Sequence, residues 1–153
     1  MTPATEANAA EANAAAAAAA PRNSERLAVA RQFAIDAARL ASQTHCHNVV
    51  VMEVASISPV ADYFVVATGT SPRQMRTVCD EVAELGEPRG YKPFHQAGYE
   101  GDAWILTDFI DVVVHVFSQD ARLYYDLDAL WGDAPRIEWQ GGPAAPASSS
   151  SGD

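Results

Sequence analysis

Six residues, Val112–Phe117 (Val-Val-Val-His-Val-Phe), constrain the fold of this chain more than any other stretch. They are β-branched or aromatic at every position but His115 and show no alternation with polar residues. A strand wetted on one face alternates; this one has to be covered on both faces, so it belongs at the centre of a sheet. Trp104–Thr107 reads as a second strand, joined to it by the tight connection Asp108-Phe109-Ile110-Asp111. At Ser118 the period lengthens. Leu123, Leu127 and Leu130 stand at i, i+4 and i+7, which predicts the core face of a covering helix. Tyr124 and Trp131 lie one position off that stripe, where they extend the core or face a partner.

The rest of the chain supplies the other layers. Asn23 or Ser24 caps a helix to about Gln43, with Leu27, Ala30, Ala34, Ala37 and Ala41 on one stripe and Val29, Phe33 and Leu40 beside it. Asn48–Ala55 and Asp62–Thr68 are strands around a Ser56-Ile57-Ser58-Pro59 turn. Gly69-Thr70 then leads into a helix with Ser71 as N-cap, Pro72 at its first position and Gln74 reaching back as in a capping box. That helix turns Met75, Val78, Val82 and Leu85 inward until Gly86, Pro88 and Gly90 interrupt it. Tyr91–Gln96 reads as a short edge strand, and Pro135–Trp139 as a last extended piece. The order α-β-β-α-β-β-β-α predicts an α/β (α+β) fold: a mixed sheet of about five strands flanked by helices. Residues 1–22, rich in alanine, and 141–153, rich in Gly, Pro, Ala and Ser, read as disordered tails around one domain over 23–140. A mitochondrial transit peptide wants several Arg and no acids, whereas the first segment holds Glu6 and Glu11 and no Arg before Arg22.

Charge narrows the partners. Residues 23–140 carry 17 acidic against 9 basic side chains, a formal net of −8. Such a surface repels phosphate backbones, so no direct nucleic-acid binding is expected, while a basic protein partner suits it. Cys46 and Cys79 show no framework spacing, which implies a reducing, cytoplasmic compartment. No apolar run reaches the ~18–20 residues of a membrane span.

Few residues form a chemical constellation. His45-Cys46-His47 holds soft ligand types, but adjacent residues rarely aim at one ion and no CxxC or HxxxH accompanies them, so it reads as a loop leaving a helix. Strand–Gly69-Thr70-Ser71–helix has the shape that cradles a phosphate on backbone N–H groups, as in nucleotidyltransferases. Those enzymes need paired carboxylates on a following strand to hold two metal ions. Here Lys92, Pro93, Phe94 and His95 follow, and Asp126 and Asp128 sit at i and i+2 of a predicted helix, facing apart. A nucleotide-binding or nucleotidyltransferase-type enzyme using this turn is the alternative reading; Ser71 is first a helix cap. His115 reads as a satisfied core histidine, since no Ser, Cys or carboxylate is spaced for a triad. Asp108 and Asp111 flank a turn, where Asp is favoured on backbone grounds. Trp104 shares a strand face with Leu106 and Asp108. An aromatic patch ending in an acid suits a protein-binding surface, and core packing is its rival.

Several stretches together resemble one family. Ser58-Pro59, Asp62-Tyr63-Phe64-Val65-Val66-Ala67-Thr68-Gly69-Thr70-Ser71, Trp104-Ile105-Leu106 with Asp108, Asp111-Val112-Val113-Val114-His115-Val116-Phe117 and Arg122-Leu123-Tyr124-Tyr125-Asp126-Leu127 with Leu130-Trp131 are similar to the ribosomal silencing factor S (Iojap) family. The match runs from about Ser24 to Ala134 in consistent order and spacing. The resemblance implies a nucleotidyltransferase-like scaffold without catalytic carboxylates, no cofactor or metal, and usually a homodimer. It implies a translational repressor that binds the large ribosomal subunit through the basic fourteenth uL-type protein at the subunit interface. There it would block joining of the small subunit when nutrients are short. Partner-contact residues carry over as Trp104, with Leu106, Asp108 and Phe109 beside it. The chain departs from the pattern at Ala97-Gly98, where the family usually has Glu-Gly, at Ile110, usually Gly, and at Gln74, often His.

Overall fold

A computed structural model describes residues 24–140. The two segments expected to be disordered tails, 1–22 and 141–153, lie outside the described residues. The elements run α1 (Ser24–Gln43), β1 (His47–Glu53), β2 (Tyr63–Thr68), α2 (Pro72–Gly86), a 3₁₀ turn (Glu87–Arg89), β3 (His95–Ala97), β4 (Trp104–Asp108), β5 (Val112–Phe117), α3 (Gln119–Tyr125), α4 (Leu127–Leu130) and β6 (Arg136–Ile137). They build a mixed sheet of six strands in the order β3-β4-β5-β2-β1-β6, not about five. The extra strand is β6, a two-residue pairing of Ile137 and Arg136 with Val51 and Met52.

Strand β5 sits inside the sheet, as its composition requires. It pairs parallel with β2 over Tyr63↔Val112 to Thr68↔Phe117, and antiparallel with β4 over Trp104↔Phe117 to Asp108↔Val113. Every residue of β2 and of β5 is buried. Alternate residues separate into two cores. Tyr63, Val65, Ala67, Val112, Val114 and Val116 meet α1 and α2 on one face. Phe64, Val66, Val113 and Phe117 face the other way, with Ala121, Leu127 and Ala134 over them.

The first face is the thicker. Helix α1 buries Ala30, Phe33, Ala34, Ile35, Ala37, Ala38 and Ala41, small residues that let it lie close to the sheet; Val29, expected beside the stripe, is half exposed. Helix α2 starts as expected: Ser71 Oγ accepts from the Gln74 N–H at 3.1 Å. Gln74 Oε1 accepts from Thr70, one residue before the cap. Gly69 is required at the strand end because a Cβ there would meet Met75 Cγ at 2.3 Å. At the far edge, a Cβ on Gly98 would lie 1.9 Å from the Trp104 carbonyl oxygen, and its φ of +82° is left-handed. Gly98 therefore lets the β3–β4 connection press against the start of β4.

On the second face the expected leucine stripe does not form. Leu123 and Leu130 are 76% and 72% exposed, and only Leu127, at 7%, faces the sheet. The cause is Asp126, whose φ of +47° closes α3 in a left-handed cap before α4 begins. An i, i+4, i+7 spacing holds one face only while the helix is continuous. Ala121 and Leu127, one on each short helix, do the covering instead.

The β4–β5 turn is tight. Phe109 N–H donates to the Val112 carbonyl at 2.8 Å and Asp111 N–H to the Phe109 carbonyl at 3.0 Å. The second bond spans i to i+2 around Ile110 at φ +78°, the strained form of γ-turn. A left-handed conformation costs an L-residue about 1–2 kcal/mol, and β-branching makes it worse. Ile110→Gly is expected to raise stability by up to about 1 kcal/mol after the added freedom of the unfolded glycine is set against that strain. Denaturant unfolding checks it; a loss of stability would mean the half-buried isoleucine side chain contributes more than the strain costs.

Candidate functional site

Strand β4 lies between β5 and the three-residue β3, and its second-face side chains are only partly covered. Ile105 and Thr107 are buried on the helix-covered side, whereas Trp104, Leu106 and Asp108 are each half-buried on the other. Three of the four expected contact residues thus share one face. Phe109 does not. It is 3% exposed, belongs to the opposite core and meets the Phe33 ring edge-on at 5.1 Å. Successive strand side chains alternate between faces, so Phe109 continues the buried phase of Ile105 and Thr107. The turn is pinned on both sides: Asp108 Oδ1 accepts from the Ile110 N–H at 2.7 Å, and Asp111 pairs with Arg26 of α1 at 2.6 Å.

Trp104 packs against neighbouring rings and is still only half-buried. Its ring lies 4.8 Å from Phe117 and 4.8 Å from Tyr125, and its indole N–H donates to His115 Nδ1 at 3.2 Å. Behind it the aromatic run continues through Phe64 to Trp131 at 5.2 Å. On its α3 side Tyr125 meets the exposed Tyr124 ring edge-on at 5.0 Å.

Two ionisable groups on this face are displaced from their usual behaviour. Burial pushes the Asp108 carboxyl up, against a downward pull from the Ile110 N–H and from His95. Burial lowers His115 to about 3, so the imidazole is neutral. Nδ1 accepts from Trp104, which puts its proton on Nε2, and that atom has no hydrogen-bond partner among the described residues. The expected satisfied core histidine is therefore satisfied on one nitrogen only. Neither cysteine looks like a nucleophile: both are free and buried, and burial raises Cys79 to about 12.

The Gly69–Ser71 turn keeps its donors for itself. The N–H groups of Gly69, Thr70 and Gln74 go to the Phe117 carbonyl, Gln74 Oε1 and Ser71 Oγ. The cavity beside it, about 240 Å³, is lined by His47, Gly69, Thr70, Ser71, Pro72, Met75, Ser118 and Gln119, with no carboxylate, Lys or Arg. That lining offers neither the carboxylates that hold metal ions nor a Lys or Arg to set beside a phosphate. The segment around His45 is a loop, with His45 at φ +74° and Cys46 buried under the Gln74 amide.

A family model described as "Ribosomal silencing factor during starvation" matches residues 27–152. The chain belongs to the ribosomal silencing factor family. Ribosomal silencing factor RsfS of Halalkalibacterium halodurans is 40% identical over 94 residues, covering 61% of this chain and 80% of that protein. The RsfS of Bacillus subtilis is 36% identical over 99 residues, 65% of this chain and 84% of that one. Two crystal structures share the architecture. One, from Bacillus halodurans, has a TM-score of 0.58 and 34% identity, covering 70% of this chain and 94% of that chain. The other, from Chromobacterium violaceum, has a TM-score of 0.61 and 29% identity, over 76% and 94%. Membership of that family is consistent with a ribosome-associated regulator of translation. Among the described residues no helix is long and apolar enough to cross a membrane.

The neutral imidazole gives a pH signature. Above about pH 6.5 His115 is uncharged in the folded and unfolded chain alike, and this contribution to stability is intact. As pH falls below 6.5 the unfolded chain takes up a proton that the folded chain refuses until about 3. Stability should therefore drop across that window, by at most about 1.4 kcal/mol per pH unit. Unfolding free energies of the wild type and His115→Phe, measured from pH 7.5 to 4, should draw apart in favour of the variant as pH falls. A difference that does not change with pH would place a water or a charge beside the imidazole.

Proposed function

We propose that this protein is a non-enzymatic translational repressor. In the cytoplasm it binds the large ribosomal subunit through the basic fourteenth uL-type protein and sterically blocks joining of the small subunit. The observation that carries this is the convergence of Trp104, Leu106 and Asp108 on the thinly covered face of β4, on a domain of formal net charge −8. An aromatic anchor, an aliphatic neighbour and a desolvated carboxylate are what a cationic protein surface can use. Burial holds the Asp108 carboxyl above the usual carboxylate range, and an approaching Lys or Arg favours its charged form. Phe109 serves from beneath, by anchoring the turn that aims Asp108. A nucleotidyltransferase-like ancestry and a homodimeric state belong to the same proposal; the first fits a strand–Gly69-Thr70-Ser71–helix turn whose donors now close on the protein itself. The terminal segments flanking 23–140 are not required by this reading.

Sedimentation of the purified protein with separated ribosomal subunits, followed by a subunit-joining assay, tests the proposal. It should travel with large subunits alone and reduce the yield of joined ribosomes. Trp104→Ala should weaken that binding by ~2 kcal/mol or more, roughly 30-fold, and Leu106→Glu by a similar amount, with both variants still unfolding cooperatively. Affinity should also fall as salt rises, because opposite charges draw the partners together. Normal binding by both variants would move the contact elsewhere. Absence of large-subunit binding even at low salt would overturn the repressor reading, and a nucleoside triphosphate with Mg²⁺ would then be the ligand to try at Gly69–Ser71.

A further inference from the structure

We propose that His115 is the positioning residue of the β4 face: it fixes the Trp104 indole from inside the sheet, so that Trp104 offers its ring surface, and not its N–H, to a cation-bearing protein partner. The partner half of this statement rests on the repressor reading above; the positioning half does not.

Across the antiparallel pair, Trp104 stands opposite Phe117 and Leu106 opposite His115. His115 is therefore the diagonal neighbour of Trp104, at a separation that only long or aromatic side chains bridge. The indole bridges it, donating to Nδ1 at 3.2 Å with the two rings 5.8 Å apart. Phe117 and Tyr125 hold the ring on its other sides, each at 4.8 Å. His115 cannot yield, because it is itself 4% exposed and meets the Phe64 ring edge-on at 4.9 Å.

A residue selected for packing alone would not be histidine. Nε2 is buried with no partner among the described residues, and leaving a polar group so costs about 1–3 kcal/mol that a phenylalanine would avoid. Among the described residues the one polar contact of the imidazole is with Trp104. With the indole N–H turned inward, what Trp104 leaves at the surface is ring carbon. A flat ring surface suits a guanidinium or ammonium group lying over it. An indole N–H would instead have asked for a carbonyl or carboxylate.

Nitrogen-15 NMR of the full chain tests the positioning. There are three indole N–H signals, from Trp104, Trp131 and Trp139, and Trp104→Phe identifies the one concerned. In the wild type the Trp104 signal should be shifted by its bond to the imidazole and slow to exchange, and His115 should hold its proton on Nε2. His115→Phe keeps the ring and removes the acceptor. Its Trp104 signal should move and exchange faster, and binding to separated large subunits should weaken about tenfold, against a coupling of the size expected for one aligned contact. His115→Asn, whose Oδ1 can stand where Nδ1 stood, should restore most of both. A fast-exchanging Trp104 N–H in the wild type, an unmoved signal in His115→Phe, or full subunit affinity in that variant would each overturn the proposal. If the wild type itself fails to bind large subunits, the partner half fails with the repressor reading, and the indole signal still decides whether His115 positions Trp104.

Discussion

Everything in this fold follows from burying β2 and β5 on both faces. A parallel pair with six consecutive buried residues on each strand cannot sit at an edge or face water. Helices α1 and α2 cover one side with a long, close-packed layer. The other side receives only two short helices and the segment around Trp131 and Ala134. Cover of that size reaches β2 and β5 but runs out at β4, one strand further along. The half-buried face of Trp104, Leu106 and Asp108 is thus what remains of the sheet after its centre has been sealed.

The β4–β5 turn joins the two sides. Within four residues Asp108 faces the thinly covered side, Phe109 packs against Phe33 in the helix-covered core, Ile110 takes the strained γ-turn and Asp111 pairs with Arg26. Side chains anchored in both directions over-determine the backbone, which is the condition under which a strained residue persists. Strain that glycine would avoid is therefore tolerable here, and it keeps Asp108 in a defined place through the bond from the Ile110 N–H.

What the sequence discloses, it discloses through local or strongly periodic signals. Ser71 and Pro72 identify the start of α2 because a helix cap needs only its own neighbours, and Val112–Phe117 identifies its own burial because the run leaves no wet face. The Leu123, Leu127, Leu130 stripe fails for the complementary reason. It assumes a continuous helix, and a single left-handed Asp126 resets the phase. Nothing in the residue type announces that break, since aspartate is ordinary both inside a helix and at its end. Strand β6 is too short to have a pattern and exists because Arg39 and Val49 hold Trp139, through its carbonyl oxygen and its indole N–H, close to α1 and β1. The place of Phe109 is legible after all: period-two alternation puts it in phase with Ile105 and Thr107, opposite Trp104, Leu106 and Asp108. The bond from Trp104 to His115 is a diagonal contact across two strands, so it requires the register, which composition does not contain.

The two readings of this scaffold divide on where its polar groups are spent. At Gly69–Ser71, the N–H groups of Gly69 and Thr70 are already used within the protein, and the adjacent cavity is lined by no carboxylate, Lys or Arg. An incoming phosphate would have to break bonds that the helix start depends on and would find no cation waiting. On β4 the balance is reversed. Asp108 carries a carboxyl that burial makes reluctant to ionise, and the aromatic rings beside it are only partly covered. A carboxylate in that state gains more from an approaching guanidinium than one already solvated, because part of its desolvation has been met by folding. On the reading proposed above, binding therefore draws on the sheet face rather than the turn, and the partner expected is a basic protein rather than a nucleotide.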